Sequence, residues 1–284
     1  GAGVAPVQRL AYFAEMATAQ LAPYRHLVLV DAKAPVSFFA YPGKQSYLVP
    51  DGCRVHHLTA ADQDPLAGLR AVVAALGAGH LTPALQAPVA VERPTGALTA
   101  ETVCQAVAAT LPEGAIVCDE SQTSGVTLAA VTAGAPRHDL LTLTGGAIGQ
   151  GLPVAVGAAV ACPDRPVVAL EADGSAMYTL QSLWTMAREE LDVTVVIFNN
   201  RSYSILNLEL ARVGADAAGP KAKSQLDLHH PDLDFVALGQ GMGVPSRRVD
   251  TAEALTAALE AAFAEPGPHL IETVVPPVFN DALL

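Results

Sequence analysis

The chain has 284 residues, of which 51% are hydrophobic and 15% are charged, and its formal net charge is −12. This composition excludes a disordered chain, because it can bury a large core, and the negative charge argues against nucleic acid or an anionic membrane as a partner. With about 150 residues per domain, the length predicts one full domain and a second, smaller or partial one.

The four cysteines, Cys53, Cys104, Cys118 and Cys162, form no CxxC pair. This spacing is typical of reduced thiols rather than of a zinc or redox site. The first residues show no charged segment followed by an apolar one, so we expect no secretory signal and a cytoplasmic location. The uncharged stretch 140–163 is interrupted by glycines and a proline, which favours a buried strand, loop and helix over a membrane span.

Residues 1–80 form the first block of the chain. The apolar run 26–31 predicts a buried strand, and the spacing of apolar residues over 64–76 predicts a helix. Residues 81–96 are rich in Gly, Pro and Thr, which is typical of a linker.

Residues 97–284 alternate between helix and strand patterns. Continuous apolar strands separated by helices predict an α/β fold with a doubly wound, mostly parallel six-stranded sheet covered on both faces. Helices are expected from Thr99 onward and over 122–132, 152–161, 175–190 (with Ser175 as N-cap) and 251–264, and strands over 115–119, 140–143, 166–171, 193–198 and 269–275.

Two further features are interpreted as loop positions. Residues 213–231 contain glycines, prolines and scattered charges and predict a mobile loop. The adjacent pairs His56–His57 and His229–His230 are interpreted as solvated loop residues rather than metal ligands, because neighbours in a strand would face opposite ways.

Small or polar residues follow four of the predicted strands. In a doubly wound sheet, ligands bind beyond the carboxyl ends of the strands, so these residues predict a composite site. The four segments are 120–124, 144–149, 172–175 and 199–203.

Asp173 and Asn200 are hard oxygen donors at two of these strand ends. Such donors suit Mg²⁺, which shares its coordination with bound phosphate, and Gly174 and Ser175 open a helix whose free N–H groups would face an anion. The alternative is that Asp173 caps a helix and that Asn199 and Asn200 only make a turn.

The spacing of these residues resembles a known signature. The segment Ala172-Asp173-Gly174-Ser175 is followed by Asn199-Asn200, with 26 residues between Asp173 and Asn200. This is similar to the Gly-Asp-Gly and Asn-Asn motif of thiamine diphosphate enzymes. With Leu183-Trp184-Thr185, the chain most resembles the benzoylformate decarboxylase and acetolactate synthase superfamily, over most of 97–276.

The resemblance implies roles for residues at each strand end. Asp173 and Asn200 would bind Mg²⁺ through side-chain oxygens, and Ser202 through its backbone carbonyl. The residues that would contact the diphosphate are Gln122, Thr123, Gly174, Ser175, Tyr203 and Ser204.

The resemblance also implies how the cofactor reacts. The backbone carbonyl of Gly146 would bind the aminopyrimidine, and Ile148 would be the bulky residue that bends the cofactor and so serves catalysis. Bending places the pyrimidine amine against the thiazolium carbon that attacks a 2-oxo acid, and the ring then accepts electrons during decarboxylation or carboligation. The alternatives are core packing for Ile148 and a dinucleotide fingerprint for the glycines, although these do not fit GxGxxG.

The chain departs from the family pattern at several positions. Ala172 replaces the first glycine of the motif, and Ala40 stands where benzoylformate decarboxylase has a histidine. Leu206 and Glu209 fall where the decarboxylases place pocket side chains, so a different substrate is expected.

In the family, a pyrimidine-binding domain supplies a glutamate, and no such domain is recognised in these 284 residues. We therefore expect 1–80 to be part of a middle domain, 81–96 a linker and 97–284 the diphosphate-binding domain of a longer parent, a homodimer or homotetramer. One hypothesis is a thiamine diphosphate enzyme acting on 2-oxo acids. The other is a non-catalytic cofactor-binding fragment or subunit that needs the pyrimidine-binding domain of the same or a neighbouring chain.

Overall fold

The computed structural model describes residues 1–214 and 219–278. They divide into two compact units: residues 5–84, and residues 1–4 together with the chain from Leu85 onward. The division falls inside the predicted linker. None of the helices in the described ranges combines the length and hydropathy needed to cross a membrane.

The smaller unit is built on two parallel strands. Its core is small and consists of Ala14, Ala17, Leu21 and Leu48, with partly buried neighbours. The elements are helix α1 (Ala14–Leu21), strands β1 (His26–Val30) and β2 (Arg54–Thr59), and helix α2 (Pro65–Ala75), which Asp64 caps.

His56 and His57 lie in β2, so their assignment to a loop was wrong, although both are exposed as predicted. Nδ1 of His26 on β1 lies 2.9 Å from Nε2 of His56.

The larger unit contains a six-stranded parallel sheet, which confirms the predicted fold class. The strand order is β4-β3-β5-β6-β8-β7, so the first strand of this sheet, β3, lies beside the edge strand β4, and the later strands extend on its other side. The strands are β3 (Ile116–Glu120), β4 (Asp139–Thr142), β5 (Val167–Ala172), β6 (Val193–Asn199), β7 (Ser246–Val249) and β8 (His269–Val274).

Helices cover both faces of this sheet. One hydrophobic core joins α3 and α11 to one face, and a second core joins α5, α7 and α10 to the other. The helices are α3 (Ala100–Thr110), α4 (Leu128–Val131), α5 (Gly151–Ala161), α6 (Asp173–Ala176), α7 (Ser182–Arg188), α8 (Ser204–Arg212), α9 (Pro220–Gln225), α10 (Phe235–Gly241) and α11 (Ala252–Ala264).

Three predicted elements differ from the structure. The helix over 175–190 is interrupted and forms α6 and α7, and Ser175 lies inside α6 instead of capping it, since Ala172 is the N-cap residue. The helix over 122–132 is a 3-10 turn, Gln122–Gly125, followed by α4. Of the predicted loop 213–231, residues 220–225 form α9, and 215–218 lie outside the described residues.

Candidate functional site

Asp173 and Asn200 follow neighbouring strands, β5 and β6, which pair Ala172 with Phe198. Oδ1 of Asp173 accepts a hydrogen bond from the amide of Gly174 (2.8 Å), and Oδ2 accepts one from the amide of Arg201 (2.6 Å). Asp173 therefore contacts the backbone next to Asn200. The two predicted metal ligands come together at one edge of the sheet.

The carboxyl group of Asp173 is almost fully buried, with 1% of the residue exposed. Burial raises its pKa to about 6, and the backbone amides of Gly174, Arg201 and Asn200 oppose that rise by binding the charged form. A buried carboxylate without a side-chain cation is one that a bound metal ion would stabilise.

The chain after Asn200 turns sharply at Arg201. Arg201 has a φ of +58°, a left-handed conformation that is rare for residues other than glycine. The amide of Ser202 donates to Oδ1 of Asn200 (2.9 Å). Ser202 lies opposite Asp227 in an isolated antiparallel bridge. The two backbone hydrogen bonds of this bridge join Arg201 to Leu228 and Tyr203 to Leu226, so the Ser202 carbonyl takes no part in it.

The predicted diphosphate residues surround the start of α6. A Cβ at Gly174 would overlap the ring of Tyr203, so these two residues are in close contact. Burial raises the pKa of the Tyr203 hydroxyl, and Tyr178 and Asp173 raise it further. Oγ of Ser204 is buried and has no hydrogen-bond partner among the described residues. Ser175 donates to the carbonyls of Glu120 (3.3 Å) and Ala172 (3.2 Å).

Gln122 and Thr123 lie in the 3-10 turn after β3, and both are half-buried. Gln122 has a φ of +53°, so its backbone, like that of Arg201, lies in the left-handed region. Helix α8 packs against the turn. On α8, Leu206 is exposed and Glu209 is half-buried with Arg212 nearby (3.9 Å), so both predicted pocket residues lie on an element that contacts the site.

Residues 145–150 form what we call the glycine loop, between β4 and α5. Gly146 is exposed with a φ of +68°, and Ile148 is half-buried. The hydroxyl of Thr179 donates to the carbonyl of Gly149 (2.7 Å). A Cβ at Gly149, whose φ is +92°, would lie 2.6 Å from Cβ of Tyr178, so the loop is packed closely at this point.

Glu120 and Glu171 lie at the ends of their strands beside the predicted site, and the sequence assigned neither a role, although Glu120 belongs to the predicted segment 120–124. They are in register on β3 and β5, and both are buried. Neither oxygen of Glu171 accepts a hydrogen bond from a donor in the described chain. Burial raises the pKa of Glu171 well above its usual range, and the nearby Glu120 carboxylate raises that pKa further, so both effects favour the protonated form of Glu171.

A third buried glutamate, Glu272 on β8, supports the end of β6. One of its oxygens accepts from the side-chain amide of Asn199 (2.7 Å), and the other from Arg248 on β7 (2.9 and 3.0 Å). Asn199 precedes the predicted ligand Asn200. The only sequence signal for these three glutamates is a carboxylate near the end of an apolar strand.

No group of three or more His, Cys, Asp or Glu side chains in the described ranges is arranged to hold a metal ion. The predicted donors are instead the Asp173 carboxylate, the Asn200 amide oxygen and the Ser202 backbone carbonyl. This oxygen set suits Mg²⁺, which takes further ligands from phosphate and water, and it does not suit a softer metal.

Comparison with protein families matches residues 121–273 to the family "Thiamine pyrophosphate enzyme, C-terminal TPP binding domain". Over 97% of its length, the chain is 59% identical to a Mycobacterium tuberculosis protein named "Putative acetolactate synthase large subunit IlvX" and covers 53% of that protein. It is 37% identical, over 68% of its length, to 35% of the benzoylformate decarboxylase of Pseudomonas aeruginosa.

Among solved structures, the thiamine diphosphate-dependent 4-hydroxybenzoylformate decarboxylase of Rhodococcus jostii RHA1 matches with a TM-score of 0.72 and 27% identity. The match covers 94% of this chain and 52% of that one. The chain therefore spans about half the length of the Mycobacterium tuberculosis and Rhodococcus jostii relatives.

Proposed function

Because the chain belongs to the thiamine pyrophosphate enzyme family, through its C-terminal TPP-binding domain, we propose that it holds the diphosphate and Mg²⁺ of thiamine diphosphate. The reaction served would be decarboxylation or carboligation of 2-oxo acids, as the names of its relatives suggest. The observation that supports this proposal most directly is the buried Asp173 carboxylate beside Asn200.

The residues at the end of β5 and β6 fit a magnesium ion. Asp173 would supply the charged ligand, and Asn200 and Ser202 would supply neutral oxygens. Without a cation, the Asp173 carboxylate is desolvated and held only by backbone amides, so a bound ion offsets the cost of burying it.

The start of α6 and the start of α8 fit a diphosphate. The absence of a side chain at Gly174 leaves room for the Tyr203 ring, and the buried Ser204 hydroxyl has a free hydrogen to donate. Ser175 would take part through its backbone amide, since its hydroxyl already bonds Glu120 and Ala172. Gln122 and Thr123 would complete the site from the turn after β3.

The glycine loop would hold the other end of the cofactor, through the carbonyl of Gly146 and the side chain of Ile148. When bound, thiamine diphosphate supplies a nucleophilic carbon and an electron-accepting ring. Ile148 would determine the shape in which the cofactor is held. Leu206 and Glu209 on α8 would border the substrate.

A second candidate is a cofactor-binding module without activity of its own, completed by a pyrimidine-binding domain elsewhere in the same or a neighbouring chain. It is favoured by the fact that the chain spans about half of its relatives. Co-purification with a mass measurement distinguishes the two: a second chain carrying that domain supports a subunit.

Isothermal titration calorimetry tests the proposed site. The wild-type chain should bind thiamine diphosphate in the presence of Mg²⁺ and lose this binding in EDTA. Asp173→Ala removes the only charged metal ligand, so the affinity should fall at least about tenfold, equivalent to about 1.4 kcal/mol. Asp164→Ala, an exposed carboxylate before β5, is the matched control and should bind normally. Equal affinity in Asp173→Ala and the wild type would reject the site.

A further inference from the structure

The side chain of Glu120 accepts several hydrogen bonds from the backbone at the end of the glycine loop. Its Oε1 accepts hydrogen bonds from the amides of Gly149 (2.8 Å) and Gln150 (3.3 Å), and its Oε2 accepts one from Gly151 (2.8 Å). One carboxylate thus binds three consecutive backbone N–H groups. They are the last two of the glycine loop and the first of α5.

The amide of Gly151 is the first of α5 and needs an acceptor from outside the helix, and those of Gly149 and Gln150 directly precede it. The first N–H groups of an α-helix have no partner in their own helix, and a negative charge at that end is favourable. Glu120 is 1% exposed, so water cannot replace it as the acceptor. The bonds therefore hold this end of the loop against β3.

Glu120 itself is held in place by the neighbouring strands. Glu120 is the last residue of β3, which is hydrogen-bonded to β4 on one side and β5 on the other. A Cβ at Gly151 would overlap Oε1 of Glu171 and lie 2.8 Å from Cβ of Glu120. The start of α5 is therefore pressed against two side chains of the sheet, and the hydroxyl of Thr179 holds the loop from the other side.

We propose that Glu120 is a positioning residue for the pyrimidine end of the cofactor site, because it fixes the glycine loop that carries Gly146 and Ile148. This inference rests on the proposed function. It assigns Glu120 no contact with the metal or the diphosphate, which Asp173, Asn200 and Gly174 would hold. Loss of Glu120 should therefore affect the two ends of the cofactor differently.

The first test is amide hydrogen exchange in the cofactor-free chain, followed by NMR. In Glu120→Gln, one oxygen can still accept from Gly149, but the new NH₂ group faces the N–H of Gly151. Exchange at 149–151 should become about tenfold or more faster, as expected for the loss of a hydrogen bond to a charged group. Glu113→Gln is the matched control: it also bonds a backbone amide, that of Arg137 (3.1 Å), but lies before β3, away from its carboxyl end.

The second test compares two ligands by calorimetry in excess Mg²⁺. Glu120→Gln should bind thiamine diphosphate about tenfold more weakly than the wild type and bind inorganic pyrophosphate equally well. A merely structural role would weaken both ligands together. Glu113→Gln should bind both as the wild type does. If Glu120→Gln does not fold, Glu120→Asp, which keeps the charge but is too short to reach all three amides, should show the same selective loss.

The outcomes separate the two proposals. Unchanged exchange at 149–151, or an equal loss of both ligands, would overturn the role of Glu120 while the proposed cofactor site stands. Failure of the wild-type chain to bind either ligand would overturn the proposed function and, with it, the inference.

Discussion

Glu171 has an unusual environment for an acidic residue, because it is fully buried beside another carboxylate, that of Glu120. Two carboxylates this close cannot both be charged in a low-dielectric interior at reasonable cost. A single proton on Glu171 converts the repulsion into a hydrogen bond to Glu120. Glu120 then remains an acceptor for the glycine loop.

The protonation of Glu171 predicts how stability depends on pH. Its folded pKa is raised above the ordinary value of 4.5, so its contribution is fully present below pH 4.5 and is lost as the pH rises. Glu171→Gln keeps the shape and a donor without the titration. The stability of the variant relative to the wild type should therefore rise by about 1 kcal/mol or more between pH 5 and pH 9.

Urea unfolding at pH 5, 7 and 9 measures this difference, with the exposed Glu101→Gln as control. A stability difference between Glu171→Gln and the wild type that stays constant over this range would show that Glu171 does not titrate there.

At the scale of the elements, helix α5 is entirely uncharged, and its two glycines have different surroundings. Gly151 begins the helix against Glu171 and Glu120, whereas Gly157 has no neighbouring atom within 4 Å of the position that a Cβ would occupy. The first glycine is required by packing. The second only weakens the helix, since glycine is a poor helix former.

Alanine substitutions should therefore have opposite effects in the same helix. Gly151→Ala should lower the free energy of unfolding by about 2 kcal/mol, because the new methyl group overlaps a buried side chain that is held by the sheet. Gly157→Ala should raise it by about 0.5 kcal/mol or more. Thermal unfolding of the two variants beside the wild type checks both. Similar destabilisation by both would contradict the packing described for Gly151.

Most of the elements were predictable because each is encoded by local patterns. The predicted ends of β3, β5 and β6 differ from the observed ends by one residue. The strands β2 and β7 were missed because they are rich in Arg, His and Ser and have no apolar run. The break between α6 and α7 was missed because apolar residues continue across 177–181 at helical spacing, although the backbone there makes turns.

At the scale of the whole molecule, the larger unit contains the proposed diphosphate and metal residues. The three buried glutamates among its described residues already interact with other groups of the protein. Glu120 binds backbone amides, Glu171 binds Glu120, and Glu272 binds Asn199 and Arg248. These contacts leave none of the three free to hydrogen-bond a pyrimidine ring. In the proposed function, we expect that glutamate to come from another domain.

The 284-residue chain alone should therefore decarboxylate 2-oxo acids at no enzymatic rate, even with saturating thiamine diphosphate and Mg²⁺. The physical reason is that the pyrimidine lacks its proton-transfer partner and water reaches the reacting carbon. An assay with pyruvate and benzoylformate, with and without a separately produced pyrimidine-binding domain, measures this. Turnover by the chain alone would mean that a residue within 1–284 supplies the glutamate's role.

The sequence by itself determined the fold class and the family, because apolar periodicity and the motif from Asp173 to Asn200 can be read along the chain. Only the tertiary structure decided the strand order, which places Glu120 beside Glu171 although 50 residues separate them in the chain. Whether a glutamate at a strand end reaches solvent or a buried backbone amide depends on which strand and which loop are its neighbours. Those neighbours are set by crossover connections between distant segments, which carry no local pattern.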